Sequence, residues 1–218
     1  MVAVRTPLIL RVFDGSYLTC SVPASEKVVY LTFDDGPIPE ITPVVLDILK
    51  ERTIPATFFC VGENVKKHPE IFRQVTEAGH AIGNHTFHHL NGWITSPAEY
   101  VEDVTRCDEY FTSDLFRPPF GRFTPSQYFL LRKKYRFILW SVLSGDYNHQ
   151  ISKERCLQNA LTHAKPGSIV VFHDSLKASE NMFYALPRFI DHFLEEGYRF
   201  DPLLPHPPTP FPKPGKGA

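Results

Sequence analysis

No sign of charge dominates this chain of 218 residues: 23 Lys and Arg stand against 24 Asp and Glu, a formal net charge of −1. That balance excludes the basic footprint of a nucleic-acid-binding domain. No apolar run approaches the roughly 20 residues that a bilayer-spanning helix needs, so no membrane span is expected. The four cysteines, Cys20, Cys60, Cys107 and Cys156, include no CxxC pair. They read as buried reduced thiols, not as a disulfide frame or a zinc knuckle. The opening stretch, MVAVRTPLILRVFDG, has too short an apolar segment and no small-residue cleavage site for a signal peptide, so a cytoplasmic location is the expectation. No internal repeat is found. What is present, 43% hydrophobic and 22% charged residues, is the composition of a globular domain long enough to bury a core without staples.

Proline is abundant at 20 residues, and seven of these fall between Pro202 and Pro214. That tail can form neither helix nor central strand and is expected as an extended strap or a loose end. The chain therefore divides into a lead-in segment at 1–26, a domain at 27–203 and a proline-rich tail at 204–218. Within the domain, seven short apolar runs read as strands: 27–33, 56–62, 80–86, 115–121, 136–142, 168–174 and 198–203. Helical periodicity lies between them. Ile41, Val44, Val45, Ile48 and Leu49 line one face, with Thr42-Pro43 as N-cap and first-turn proline. Residues 63–78 form a second helix ending at Gly79. Leu186, Phe189, Ile190, Phe193 and Leu194 line another, stopped by Gly197. Strands alternating with helices imply a parallel α/β sheet. The runs are apolar throughout, as for strands covered on their outer face. Periodicity leaves a closed barrel and an open doubly wound sheet equally admissible.

The polar residues gather where these runs end: Asp34-Asp35-Gly36-Pro37, His85-Thr86-Phe87-His88-His89, Arg117-Pro118-Pro119-Phe120-Gly121, Ser144-Gly145-Asp146 and His173-Asp174. The C-terminal rim of a parallel sheet is where active sites assemble. Singly, each has a bland reading. Asp before Gly-Pro marks a turn, Arg117 could be a surface ion pair, and His173 could be a satisfied core residue. Adjacent carboxylates at a strand end alternate direction, so one could bind a metal while the other faces a substrate. His85 and His89, four apart, would share one face of a helical turn, with His88 a competitor for the second position. Together, Asp35, His85 and His89 make a two-His-one-carboxylate set of the open kind found in catalytic metal sites. Asp34 and His173 are then left as base and acid.

The blocks TFDDGP, HTFHH, RPPFG and VVFHD resemble those of the polysaccharide deacetylase family, the NodB-homology domain of carbohydrate esterase family 4, over residues 27–203. The resemblance implies a distorted seven-stranded (β/α) barrel in a single domain. It implies that Asp35, His85 and His89 hold a divalent metal, usually zinc, with cobalt, nickel or manganese as other candidates. Asp34 would be the general base, oriented by Arg117, and His173 the general acid. Thr86 would brace the histidine loop, and the Phe120 N–H would help hold the oxyanion, with Pro119 and Tyr147 in the same oxyanion and substrate-binding group. The implied reaction removes acetyl groups from a sugar, N-acetylhexosamine units first among the candidates, with an acetylated glycan as the substrate partner. Oligomeric state is not readable.

The chain departs from the family pattern in three places. Phe120 stands where tyrosine is usual. In the fourth block, which usually reads like D-S-x-D-W, the chain has Leu143-Ser144-Gly145-Asp146-Tyr147. The first acid is gone, while Asp146 remains to pair with His173. Two other functions stay open: a carbohydrate-binding protein that kept the fold without catalysis, and hydrolysis of a small non-sugar amide by the same site. Trp93, Trp140 and Tyr147 could stack on sugar rings, although Trp140, inside an apolar run, reads as core.

Overall fold

A computed structural model describes residues 18–204. The lead-in before Leu18 and the proline-rich tail after Leu204 lie outside the described residues. Nine strands form one parallel sheet: β1 (Leu18–Thr19), β2 (Val28–Asp34), β3 (Thr57–Cys60), β4 (Ala81–Asn84), β5 (Leu115–Phe116), β6 (Arg136–Ile138), β7 (Val142–Leu143), β8 (Ser168–His173) and β9 (Arg199–Phe200). Their order is β1-β6-β5-β4-β3-β2-β8-β7, with β9 paired to the start of β2. The helices are α1 (Thr42–Glu51), α2 (Gly62–Lys67), α3 (Pro69–Glu77), α4 (Pro97–Arg106), α5 (Pro125–Leu131), α6 (Lys153–His163) and α7 (Ser179–Glu195).

The strand count differs from the expected seven because one apolar run does two jobs. The run at 136–142 leaves the sheet after β6, crosses to its far end and re-enters as β7. In the crossing, Leu139 N–H donates to Thr19 O at 2.8 Å and Ser141 N–H to Ile169 O at 3.1 Å. A single segment thus links both ends of the curled sheet, the form expected of a distorted (β/α) barrel. Leu18–Thr19 adds the ninth strand beside β6.

Side-chain parity explains the layers. On β2, Val29, Leu31 and Phe33 face outward into a large core shared with Val45 and Leu49 of α1 and Leu186, Phe189, Ile190 and Phe193 of α7. Phe59, Leu115, Ile138 and Ile169 face inward and fill the barrel with Leu203, backed by Tyr30. Gly83 on β4 has no side chain because a Cβ there would fall 2.3 Å from the Phe59 ring. A third cluster packs α4 and α5 against β5 and β6 through Tyr100, Val104, Phe116, Leu131 and Phe137.

Four local expectations are corrected. Val44 and Leu194 are 42% and 38% exposed, outside the buried stripes assigned to them. The helix expected at 63–78 is broken into α2 and α3 at His68-Pro69, where proline drives the residue before it out of the helical region; His68 has φ −130° and ψ 56°. The N-cap of α1 is Ile41, with no side-chain cap. Thr42 instead accepts from Ile38 N–H at 2.8 Å and donates to Asp174 at 2.7 Å. The four cysteines are buried thiols, as expected.

Candidate active site

Asp34 is the last residue of β2, and its parity turns it inward, 3% exposed. An isolated buried carboxylate is costly, and Arg117, just past β5 and fully buried, supplies its partner. Arg117 Nη1 donates to Asp34 Oδ1 at 2.6 Å and to Thr32 Oγ1 at 2.9 Å. Its Nε and Nη2 donate to the carbonyls of Ile138 and Leu139, both at 3.2 Å, where the bridging segment leaves β6. The guanidinium lies 4.0 Å over the Phe59 ring. Arg117 is therefore the cap of the barrel interior, not a surface ion pair.

Asp35 would face away from Asp34 if the strand continued. Its φ of 86° breaks the alternation, and both carboxyls line the same cavity. Asp174 fixes this turn from below: it accepts from Gly36 N–H at 3.0 Å and from the Thr42 hydroxyl at 2.7 Å. A Cβ on Gly36 would fall 1.9 Å from Asp174 Oδ2, so only glycine fits. Burial pushes the Asp174 carboxyl up to about 8.

His85 and His89 do meet, but not on a helix. Thr86 and His89 adopt left-handed φ of 63° and 56° in an irregular loop after β4. Thr86 braces it: its hydroxyl accepts from Leu90 N–H at 3.0 Å, and its N–H donates to Asn84 Oδ1 at 2.8 Å. His89 Nε2 lies 3.2 Å and His85 Nε2 3.8 Å from Asp35 Oδ1, and the three ligand atoms all lie within 4.8 Å of one another. An ion about 2.0–2.1 Å from tetrahedral donors needs them about 3.3 Å apart, so small side-chain adjustments suffice. His85 Nδ1 is 2.7 Å from Arg117 O. A carbonyl only accepts, so Nδ1 carries the proton and Nε2 presents its lone pair. Burial pulls the His85 pKa down to about 4, which keeps the imidazole neutral at physiological pH. His89, hydrogen-bonded to Asp35, holds that carboxyl well below the usual carboxylate range against the opposing effect of its burial. Two imidazoles and an ionised carboxylate fit a borderline divalent ion. His88, the competitor, turns away to Asp103 at 2.5 Å.

His173 ends β8 directly opposite Asp34. Its Nδ1 lies 2.7 Å from Asp146 Oδ1, and its N–H donates to Asp146 Oδ2, also at 2.7 Å. Asp146 is fully buried and can only accept here, so Nδ1 is protonated and Nε2 is left for the cavity. Burial lowers the His173 pKa, but Asp146, with Asp35 and Asp34 behind it, more than offsets this and holds it up to about 10.

These groups open into one cavity of about 690 Å³. Phe120 lines it in a left-handed conformation, φ 60°, with its ring 4.8 Å from that of His89. Tyr147 lines it edge-on to His173, the rings 5.0 Å apart. Trp140, expected in the core, lines the cavity while also packing on two core clusters. Thr86 and Pro119 are buried and do not line the cavity; they support the residues that do. Residues 21–135 match the family model for polysaccharide deacetylase. The chain belongs to the polysaccharide deacetylase family.

Its relatives agree. A peptidoglycan-N-acetylglucosamine deacetylase of Bacillus cereus is 34% identical over 197 residues, covering 84% of this chain and 90% of the relative. A chitooligosaccharide deacetylase of Azorhizobium caulinodans is 36% identical over 164 residues, covering 72% of this chain and 78% of the relative. The crystal structure of the Bc1960 peptidoglycan N-acetylglucosamine deacetylase, in complex with 4-naphthalen-1-yl-N-oxidanyl-benzamide, superposes with a TM-score of 0.83 at 31% identity, covering 91% of this chain and 95% of that one. As a carbohydrate esterase family 4 member, this deacetylase leaves the first acid of the fourth block unreplaced: Leu143 is an apolar part of the cavity wall. The histidine keeps its acid all the same, because Asp146 alone makes both contacts to His173. Two anchors escaped the sequence reading. Asp174 had a signal in standing next to His173; Asp103, far along the chain on α4, had none.

Proposed function

We propose that the chain hydrolyses the N-acetyl group of an N-acetylhexosamine unit in a glycan, with zinc held by Asp35, His85 and His89. The observation that carries this reading is the convergence, on one cavity, of that ligand set with two titratable groups on adjacent strands, each backed by its own buried counter-ion. Asp34 has Arg117; His173 has Asp146. The bound ion would polarise the acetyl carbonyl and lower the pKa of a water. Asp34, locked by Arg117, takes the proton from the attacking water. The Phe120 N–H, carried on a left-handed turn beside His89, donates to the oxygen on which charge develops. His173 protonates the leaving nitrogen from Nε2, while Asp146 holds Nδ1–H and the ring orientation. An amine leaves poorly unless protonated, so an imidazolium held by a buried carboxylate suits an amide more than an ester. The complete set argues against a fold kept for sugar binding alone. Release of acetate from N-acetylated oligosaccharides by the metal-loaded chain, abolished by a chelator and restored by zinc, is the expected result. No acetate from any acetylated sugar would overturn the reading.

A further inference from the structure

On the Phe120 side of the cavity the protein carries a feature that the chemistry above does not use. Arg122 lines the cavity half-buried. Its guanidinium lies 4.7 Å over the Trp93 ring and 5.7 Å over the Phe120 ring. Trp93 and Phe120 are 64% and 57% exposed, a cost for such large apolar groups unless something covers them. Together they form a ladder running outward from His89: Phe120, Arg122, Trp93.

The ladder is built, not accidental. Gln127 of α5 is fully buried and ties its two loops together. Its Nε2 donates to the carbonyls of Gly92 and Thr95 at 2.9 and 3.1 Å, and its Oε1 accepts from Thr124 N–H at 2.8 Å. Gly92 leaves no gap: a Cβ there would fall 2.5 Å from Arg122 O. Trp93 and Arg122 are thus fixed in register by a buried amide. Across the cavity, Lys177 stands 5.8 Å over the Tyr147 ring. Among the described residues, neither Arg122 nor Lys177 is within ion-pair distance of a carboxylate. A guanidinium stacked by its face keeps its in-plane N–H donors for a second, planar partner, and carboxylate is the match.

We propose that Arg122 is a specificity-determining residue that receives a carboxylate carried by the glycan beside the acetylated sugar, with Trp93 and Phe120 as the stacking wall for the sugar rings. The substrate class is then an anionic acetylated glycan. This rests on the deacetylase reading above. A carboxylate could belong to a lactyl ether on a neighbouring amino sugar or to a uronic acid, and the test separates the two. Acetate release is followed on peptide-free peptidoglycan strands, whose alternate sugars carry the lactyl acid, and on a polymer alternating N-acetylglucosamine with glucuronic acid. Each is paired with its carboxyl-reduced counterpart. The expected result is a kcat/KM about tenfold higher on at least one acid than on its reduced form, a preference that shrinks as salt is raised. Which pair shows it identifies the source. Arg122→Gln brings that ratio to near one, mainly through KM, and Arg122→Lys keeps part of it. The ratio is internal to each variant, so a general loss of folding does not mimic the effect; the salt dependence in the wild-type chain stands without any variant. Ratios near one in the wild type, or a ratio unchanged in Arg122→Gln, overturn the proposal while leaving the deacetylase reading intact. Acetate from none of the four substrates nor from neutral chitooligosaccharides overturns both.

Discussion

Asp103 and His88 are joined at 2.5 Å, and that contact sets the shape of the histidine loop. From α4, the other oxygen of the Asp103 carboxyl accepts from the N–H groups of Phe87 at 2.9 Å and His88 at 3.0 Å. One buried carboxylate thus holds three anchor points on the two consecutive residues Phe87 and His88 and turns His88 away, so that His89 faces Asp35.

Removing that anchor is predicted to loosen the metal site without touching a ligand. Partners of this kind typically contribute about 10–100-fold in metal affinity. Asp103→Ala is expected to weaken zinc binding by that order in a chelator competition titration. Asp103→Asn, which can still accept from the two N–H groups, loses less. Equal affinity in Asp103→Ala and wild type would assign the loop shape to Thr86 alone.

The base and the ligands should separate cleanly. Asp34→Asn keeps a side chain that can accept from Arg117, and the three ligands stay in place. It is expected to retain stoichiometric metal by elemental analysis and to lose about 10²–10⁴-fold in kcat. His85→Ala removes the donor whose Nδ1–H is fixed by Arg117 O, and metal and activity are expected to fall together. Substantial turnover in Asp34→Asn removes Asp34 as base; full metal occupancy in His85→Ala shows the ligand set is wrong.

How much of this was legible beforehand differs by residue. Asp34, His85, Arg117 and His173 sit at the ends of apolar runs, and strand parity carries them inward, so the site was readable from where the runs stop. The pairing of His85 with His89 was readable for the wrong reason: spacing suggested a helical turn, whereas two left-handed residues and Asp103 make the loop. Contacts of long sequence separation, such as Asp103 to His88 or Gln127 to Gly92, leave no local trace. The run at 136–142 is continuously apolar on both sides of its crossing, which hides the point where it changes neighbours.

Asp146 is predicted to govern the alkaline limb of the reaction. The acid works only when protonated, so the rate falls as pH rises through the His173 pKa. Burial lowers that pKa, and the Asp146 carboxylate raises it above the ordinary imidazole range. Asp146→Asn leaves burial opposed only by Asp35 and Asp34, and the alkaline limb of kcat should move to lower pH. The loss is expected to be greater on an N-acetyl than on an O-acetyl substrate, because the alkoxide leaves with less help. A limb that stays in place assigns the acid elsewhere.

Asp174 carries a stability signature of definite sign. Its carboxyl is held up to about 8 by burial, against an ordinary value of 3.8. Between about pH 4 and pH 8 the folded protein keeps a proton that the unfolded chain has released, so the stability contributed by this group falls as pH rises through that window. The full effect is on the order of a few kcal/mol, with burial and the turn around Gly36 setting its size. Asp174→Asn mimics the protonated form: its amide oxygen still accepts from Gly36 N–H, and its NH₂ can donate to Thr42. In denaturant titrations of the metal-free chain, the variant's stability should decline less than the wild type's from pH 5 to pH 8.5. His173 is common to both proteins and cancels in the difference. Parallel curves across this window would show that Asp174 is already ionised in the fold.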